Sequence, residues 1–215
     1  MTLNSFNLVE IADLNDGLLL PWLDLYETAF PPNERELVSS KLDLLKAKMR
    51  GDAEEETMLA AVVEQQTLIG IVDYEVNQAL SVALLWYFAV KRELRGKGLG
   101  SQIYRELIAQ LAAKGIRTLI VEVEMPEEAE SKEKYRWAER RIAFYRRLGA
   151  KLLTGVHYMQ DVGWHQPPTP MHIMVHPLQP LDAQSAYDLA KAIFEDAIEQ
   201  TGPLALSEFE ASVKE

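Results

Sequence analysis

The apolar positions change period several times along the chain. Residues 5–11 suit a short strand. Leu18 to Phe30 then reads as a helix, with Pro21 tolerable only in its first turn. "FPPNERE" breaks it. Asn33 can cap a second helix, which places Leu37, Leu44, Leu45 and Met49 on roughly one side and ends at Gly51. From Thr57 the pattern becomes β-rich: "TMLAAVVEQQTLIGIVDYEVNQALSVALLWYFAV" contains three runs broken at "EQQ" and "NQA", gaps short enough for antiparallel hairpins. The helical period returns over 100–114, with Ile103, Leu107, Ile108 and Leu111 in step and Gly115 as the stop. "RTLIVEVE" is a further strand and "MPEEAESKE" an acidic loop. Residues 134–148 form an arginine-rich helix stopped by Gly149, and two strand-like runs, 151–160 and 171–177, flank "GWHQPPTP". Over 182–200 a last amphipathic helix places Ala186, Ala190, Ile193, Phe194 and Ala197 on one face. Hairpins followed by a single strand–helix–strand crossover predict a mixed α/β fold: a mostly antiparallel sheet of about six to seven strands with helices on both faces.

Composition narrows the function. The 215 residues carry 48% hydrophobic and 26% charged side chains, ordinary for a globular chain with a sizeable core. The formal net charge of -11 argues against sequence-independent nucleic-acid binding, which needs basic surface, and favours cationic partners such as amines. There is no cysteine, which excludes disulfides, thiolate metal sites and a cysteine nucleophile. No apolar run reaches the roughly 20 residues of a membrane helix, and the N-terminus lacks the order of a signal peptide, so a cytoplasmic location without a membrane partner is expected. The four histidines have no metal-ligand spacing, and no metal is expected.

One stretch stands apart. "RGKGLG", residues 95–100, puts Gly96, Gly98 and Gly100 between a strand run and a helix run. Such a junction presents backbone N–H groups at the positive end of a helix, a ready anion site. A P-loop would read GxxxxGK[ST], which this is not. A dinucleotide fingerprint would need glycine at 101, where Ser101 stands. What remains is Arg95-x-x-Gly98-x-Gly100 after "FAV".

That pattern resembles the pyrophosphate loop of the GNAT superfamily of acyl-CoA N-acyltransferases, Q/R-x-x-G-x-G/A. About 40 residues on, "AERRIAFYRRLGAKLL" is similar to the second signature of the family, N-x-x-A-x-x-L/F-Y-x-x-x-G-F. The order of elements also matches from residue 5 to about 177. The resemblance implies a sheet splayed between its fourth and fifth strands, with pantetheine bonded to the backbone of Phe88, Ala89 and Val90. The pyrophosphate would lie on the amides of Arg95, Gly96, Lys97, Gly98, Leu99, Gly100 and Ser101, with Arg95 and Lys97 adding charge. It further implies transfer of acetyl from acetyl-CoA to a primary amine of a small molecule or peptide, by direct attack in a ternary complex. Tyr145 falls where the family places its acid, the alternative being a core tyrosine. Glu122, and after it Glu124, alternate on one face of "LIVEVE" as candidates for the base or for acceptor contact, the alternative being solvent or pairing with the arginine-rich helix. Asp73 and Tyr74 are further pocket candidates. Glu34 in "AFPPNERE", and Trp164 and His165 in the connection between the last two strands, are candidate acceptor contacts.

Two positions depart from the second signature: Ala138 stands where Asn is usual, and Ala150 where Phe is usual. The first puts one cofactor or loop contact in doubt, the second only packing. The rival reading from another class is an acyl-CoA-binding sensor or scaffold without transfer. The organisation expected is an acyltransferase domain over 1–180 and a helical extension over 181–215, packed on the domain or at a dimer interface, in a monomer or homodimer.

Overall fold

The computed structural model of the chain describes residues 5–32, 34–52, 56–161 and 167–207. They form a mixed α/β fold of five α-helices and eight mostly antiparallel strands. In chain order these are β1 (Asn7–Glu10), α1 (Leu19–Ala29), α2 (Val38–Arg50), β2 (Glu56–Glu64), β3 (Thr67–Asn77), β4 (Val82–Val90), α3 (Leu99–Ala113), β5 (Thr118–Glu124), α4 (Lys132–Arg147), β6 (Lys151–Gln160), β7 (Thr169–Pro177), α5 (Ala183–Phe194) and β8 (Ile198–Ser207). The chain divides into two compact units, the first chiefly β1 to α3 and the second chiefly β5 to β8.

In the first unit the strand order is β1–β2–β3–β4. β2 and β3 are joined by Gln65 and Gln66, both at positive φ (47° and 64°), the twist that a two-residue hairpin needs. α1 buries Trp22, Leu23, Leu25 and Tyr26 against Leu59, Ala61, Ile71 and Tyr87. Trp22 stacks on Tyr26 at 5.3 Å and donates its indole N–H to the Ala60 carbonyl at 3.1 Å, so the one polar atom of that ring is satisfied in the core. The buried face of α2 is not the expected one. Leu45 is buried, but Met49 is 52% exposed and the other fully buried side chain is Lys41. A carboxylate on β3, Asp73, turns the helix this way: it is buried and draws the Lys41 ammonium to 2.8 Å. The proposed cap, Asn33, lies outside the described residues; α2 begins at Val38 after Leu37, without a side-chain cap.

In the second unit the order is β5–β7–β6–β8, every neighbour antiparallel. Leu119, Val121 and Val123 of β5, Ile173, Met174 and Val175 of β7, and Ile142 and Tyr145 of α4 are all buried. Trp137, by contrast, is 61% exposed and contributes nothing to this core. The tail differs from the reading of one long helix. α5 stops at Phe194, Glu195 takes a positive φ of 47°, and Ile198–Ser207 becomes β8, paired along β6. Ladder bonds to β6 outweigh the weak helical preference of "IEQTG", because a strand edge otherwise leaves a row of unpaired backbone groups.

The β6–β8 ladder shifts register between Thr154 and Val156, and Gly155 sits at the shift with φ +81°. A Cβ there would lie 2.3 Å from the Pro203 carbonyl oxygen. Gly155→Ala therefore combines a left-handed residue with a backbone clash, and should cost about 2–3 kcal/mol. Thermal unfolding should show the midpoint falling by roughly 4–12 °C; an unchanged midpoint would mean β8 does not hold this register.

Candidate active site

The first cluster belongs to the first unit. β4 ends at Val90, with Phe88 half-buried and Ala89 and Val90 buried, and a single 3-10 turn over Arg92–Leu94 carries the chain into the loop. Gly96 and Gly98 take φ of +77° and +81°, and a Cβ on either would meet nothing within 4 Å. Conformation, not crowding, requires glycine at these two positions, and the space over them is open. α3 then begins at Leu99, and its first intrahelical bond runs from the Gln102 N–H to the Gly98 carbonyl at 3.2 Å. The amides just before Gln102, those of Leu99, Gly100 and Ser101, are in the class that a helix cannot satisfy internally. The Arg95 Nε donates to the Val90 carbonyl at 2.8 Å, which ties the loop to the end of the strand. Within 91–97 four cations, Lys91, Arg92, Arg95 and Lys97, face one acid, Glu93, in a chain whose net charge is -11. Open left-handed glycines, helix N–H groups and a local positive charge fit a diphosphate. Glu34 lies elsewhere in this unit, in the α1–α2 link, its N–H donating to the Pro31 carbonyl at 2.9 Å.

The second cluster belongs to the second unit. Glu122 and Glu124 share a face of β5 and stay partly accessible. Glu122 is gripped by two side chains of β6. The Tyr158 hydroxyl donates to Oε1, and the Gln160 amide donates to Oε2 at 2.6 Å. Burial pushes the Glu122 carboxyl up to about 7, with the Tyr158 and Gln160 bonds pulling partly back. A carboxylate that titrates near neutrality is suited to general-base work. Glu124 is instead ion-paired to Arg141 of α4 at 2.5 Å. One of the expected alternatives, pairing with the arginine-rich helix, is therefore what Glu124 does. Tyr145 is buried near this pair; burial lifts its hydroxyl to about 12, Arg141 opposing and Glu124 assisting. It stays protonated throughout the working range.

Trp164 and His165 lie outside the described residues. Asp73 and Tyr74 are both buried, and Asp73 serves the Lys41 pair instead of lining a pocket. Sequence reasoning missed Tyr158, Gln160 and Lys41. Tyr158 and Gln160 alternate as strand neighbours on one face, but their target lies 36 and 38 residues away. Among the described residues no group of three or more His, Asp or Glu side chains could hold a metal, and no helix is long and apolar enough to cross a membrane.

Residues 19–150 match the acetyltransferase (GNAT) family. The chain belongs to that family. The match runs from the start of α1 to Ala150, just before β6, so it takes in the glycine loop, Glu122, Glu124, Arg141 and Tyr145 but not Tyr158 or Gln160, and it makes the protein a GNAT acyltransferase that uses acyl-CoA. No functionally curated protein matches the chain in sequence. Solved structures share the GNAT fold. A protein of Bacteroides thetaiotaomicron assigned to the GNAT family is 23% identical with a TM-score of 0.67, over 88% of this chain and 98% of that one. A spermidine N-acetyltransferase chimera of Vibrio cholerae is 14% identical with a TM-score of 0.59, over 80% and 95%. An aminoglycoside 6'-N-acetyltransferase complexed with coenzyme A is 18% identical with a TM-score of 0.57, over 81% and 98%.

Proposed function

We propose that this GNAT protein moves acetyl from acetyl-CoA to a primary amine of a small molecule or peptide, by direct attack in a ternary complex. The observation that carries the reading is the cationic glycine loop at the start of α3, with Gly96 and Gly98 in left-handed conformation and open above. The amides of 95–101 would hold the diphosphate, and the end of β4 would bond the pantetheine. Acetyl-CoA, when bound, supplies the thioester carbonyl and the thiolate leaving group. Glu122 takes the proton that a protonated amine must lose to become a nucleophile, directly or through a water. Tyr145 delivers a proton to the departing sulfur. With no cysteine in the chain, a cysteinyl acyl-enzyme is excluded. The net charge of -11 supports a cationic acceptor, and Glu34, with Trp164 and His165, is proposed to contact it.

Calorimetry with acetyl-CoA tests the donor site. Wild-type protein should bind in the micromolar range, and Gly98→Glu should weaken binding at least about 30-fold, close to 2 kcal/mol, by setting a carboxylate against the diphosphate. The left-handed strain of that variant should cost only about 1 kcal/mol of stability, so the protein stays folded. Equal affinity in Gly98→Glu would move the diphosphate away from this loop. No binding by folded wild type would overturn the function. An amine screen, with Tyr145→Phe as the acid control, then separates transfer from mere binding.

A further inference from the structure

The family match ends at residue 150, yet among the described residues both side chains that hydrogen-bond the Glu122 carboxylate lie beyond it. Tyr158 and Gln160 sit two apart on β6 and reach the two oxygens of the same carboxylate from one side. Tyr158 is itself held from the tail. Its ring packs on Phe194 at the end of α5, centroids 4.5 Å apart, and its backbone registers with Ile198, the fully buried first residue of β8. A hydroxyl on a half-free ring would sample several rotamers, whereas a ring clamped between a strand partner and an aromatic neighbour keeps its oxygen in one place.

We infer that Tyr158 and Gln160 are positioning residues for Glu122, and that the α5–β8 segment has a part in the active site because it fixes Tyr158. The inference rests on Glu122 being the base. Both donors stabilise the carboxylate form, so they oppose the burial that raises its affinity for a proton. They also aim it: with Oε1 and Oε2 each taking one donor, the carboxylate plane cannot rotate, and the remaining lone pairs point in a fixed direction. Among the described residues no other charged group sets this titration. The nearby charges are Glu124 on the same strand and Arg141 on α4, and these are paired with each other; Tyr145 stays neutral.

The test does not need the acceptor. In protein labelled with carbon-13 at the glutamate side-chain carboxyl, the Glu122 resonance is identified by its loss in Glu122→Gln and followed by NMR from pH 4 to 9. The midpoint should lie near 7 in the parent. It should rise by about 1 unit in Tyr158→Phe, which keeps the ring and removes only the hydroxyl, and by about as much in Gln160→Leu. Phe194→Ala should move it in the same direction by less. Midpoints unmoved in Tyr158→Phe and Gln160→Leu, with thermal stability kept, would overturn the positioning role. A midpoint moved in those two but not in Phe194→Ala would overturn the part assigned to α5–β8. A protein that binds acetyl-CoA but transfers nothing to any amine would sink the base role of Glu122, and these titrations would still decide whether β6 and the tail hold its carboxylate.

Discussion

Lys41→Met should destabilise the protein by about 3–5 kcal/mol, a fall of roughly 6–20 °C in the unfolding midpoint. Lys41 is 2% exposed and Asp73 is 0% exposed, and the ammonium lies 2.8 Å from the Asp73 carboxylate with Glu36 as a second partner. It also sits 4.9 Å from the centroid of Tyr87 and 5.9 Å from that of Tyr26. Burial by itself would push the ammonium's pKa down; two carboxylates push it up by more, and the net direction is up, so Lys41 is charged. Taking it away strands a carboxylate in the core, and that penalty exceeds what the pair contributes as a pair. The double variant Lys41→Met/Asp73→Leu should therefore regain most of the loss, which chemical denaturation of the four members of the cycle would measure. If Lys41→Met costs under 1 kcal/mol, water reaches Asp73 and the site is not dry. The same cluster holds the segment that joins α1 to α2. The Tyr26 hydroxyl donates to the Glu36 carbonyl at 3.1 Å, and the Glu36 N–H donates to the Tyr87 oxygen at 3.0 Å. A loosened Glu36 would release the segment that carries Glu34, so any acceptor KM should rise in Lys41→Met while acetyl-CoA affinity, assigned in our proposal to residues 88–101, holds.

Features written in short-range pattern were legible. The three-run β stretch with its two short breaks became β2, β3 and β4, and Gly51, Gly115 and Gly149 follow the helices they were expected to end. The glycine loop was readable because glycine adopts positive φ at the least cost, and Gly96 and Gly98 both do so within three residues, a constraint local to the chain. What could not be read depended on partners distant in sequence. Lys41 looks like the solvent side of α2 until Asp73, 32 positions later in an apolar run, demands a cation; the acid that ends the apolar run "LIGIVD" was the signal. β8 has a Gly-Pro pair in its middle and looks like a chain end, since its strand character comes from β6 and not from its own residues. Tyr158 and Gln160 read as an ordinary alternating strand. Which residues they face follows from β6 and β5 flanking β7, and strand order is not contained in periodicity.

Glu122→Gln should lower kcat by about 10²–10⁴ while leaving acetyl-CoA affinity unchanged, because it removes the proposed proton acceptor without altering size or the proposed diphosphate loop. In the parent, the acid limb of the kcat/KM profile should fall near pH 7, where half of Glu122 is protonated and unable to act. In the variant that limb should disappear. Stability should move the other way. Glu122 binds its proton more tightly in the folded protein, at about 7, than at its ordinary value of 4.5. Its contribution is therefore complete below about pH 4.5 and is lost as pH rises through 7. Glutamine, uncharged at every pH, does not undergo that loss. The variant should match the parent near pH 4 and exceed it above pH 7, on the order of 1–3 kcal/mol after allowing for partial solvent access. In the proposed role, a carboxyl kept at a raised pKa is a cost that the fold bears for activity, and relieving it trades one for the other. Stability measured at pH 4, 6 and 8 on both proteins separates this from a structural glutamate. If Glu122 were only a structural ligand of Tyr158 and Gln160, the variant would be less stable at every pH and kcat would change by less than tenfold.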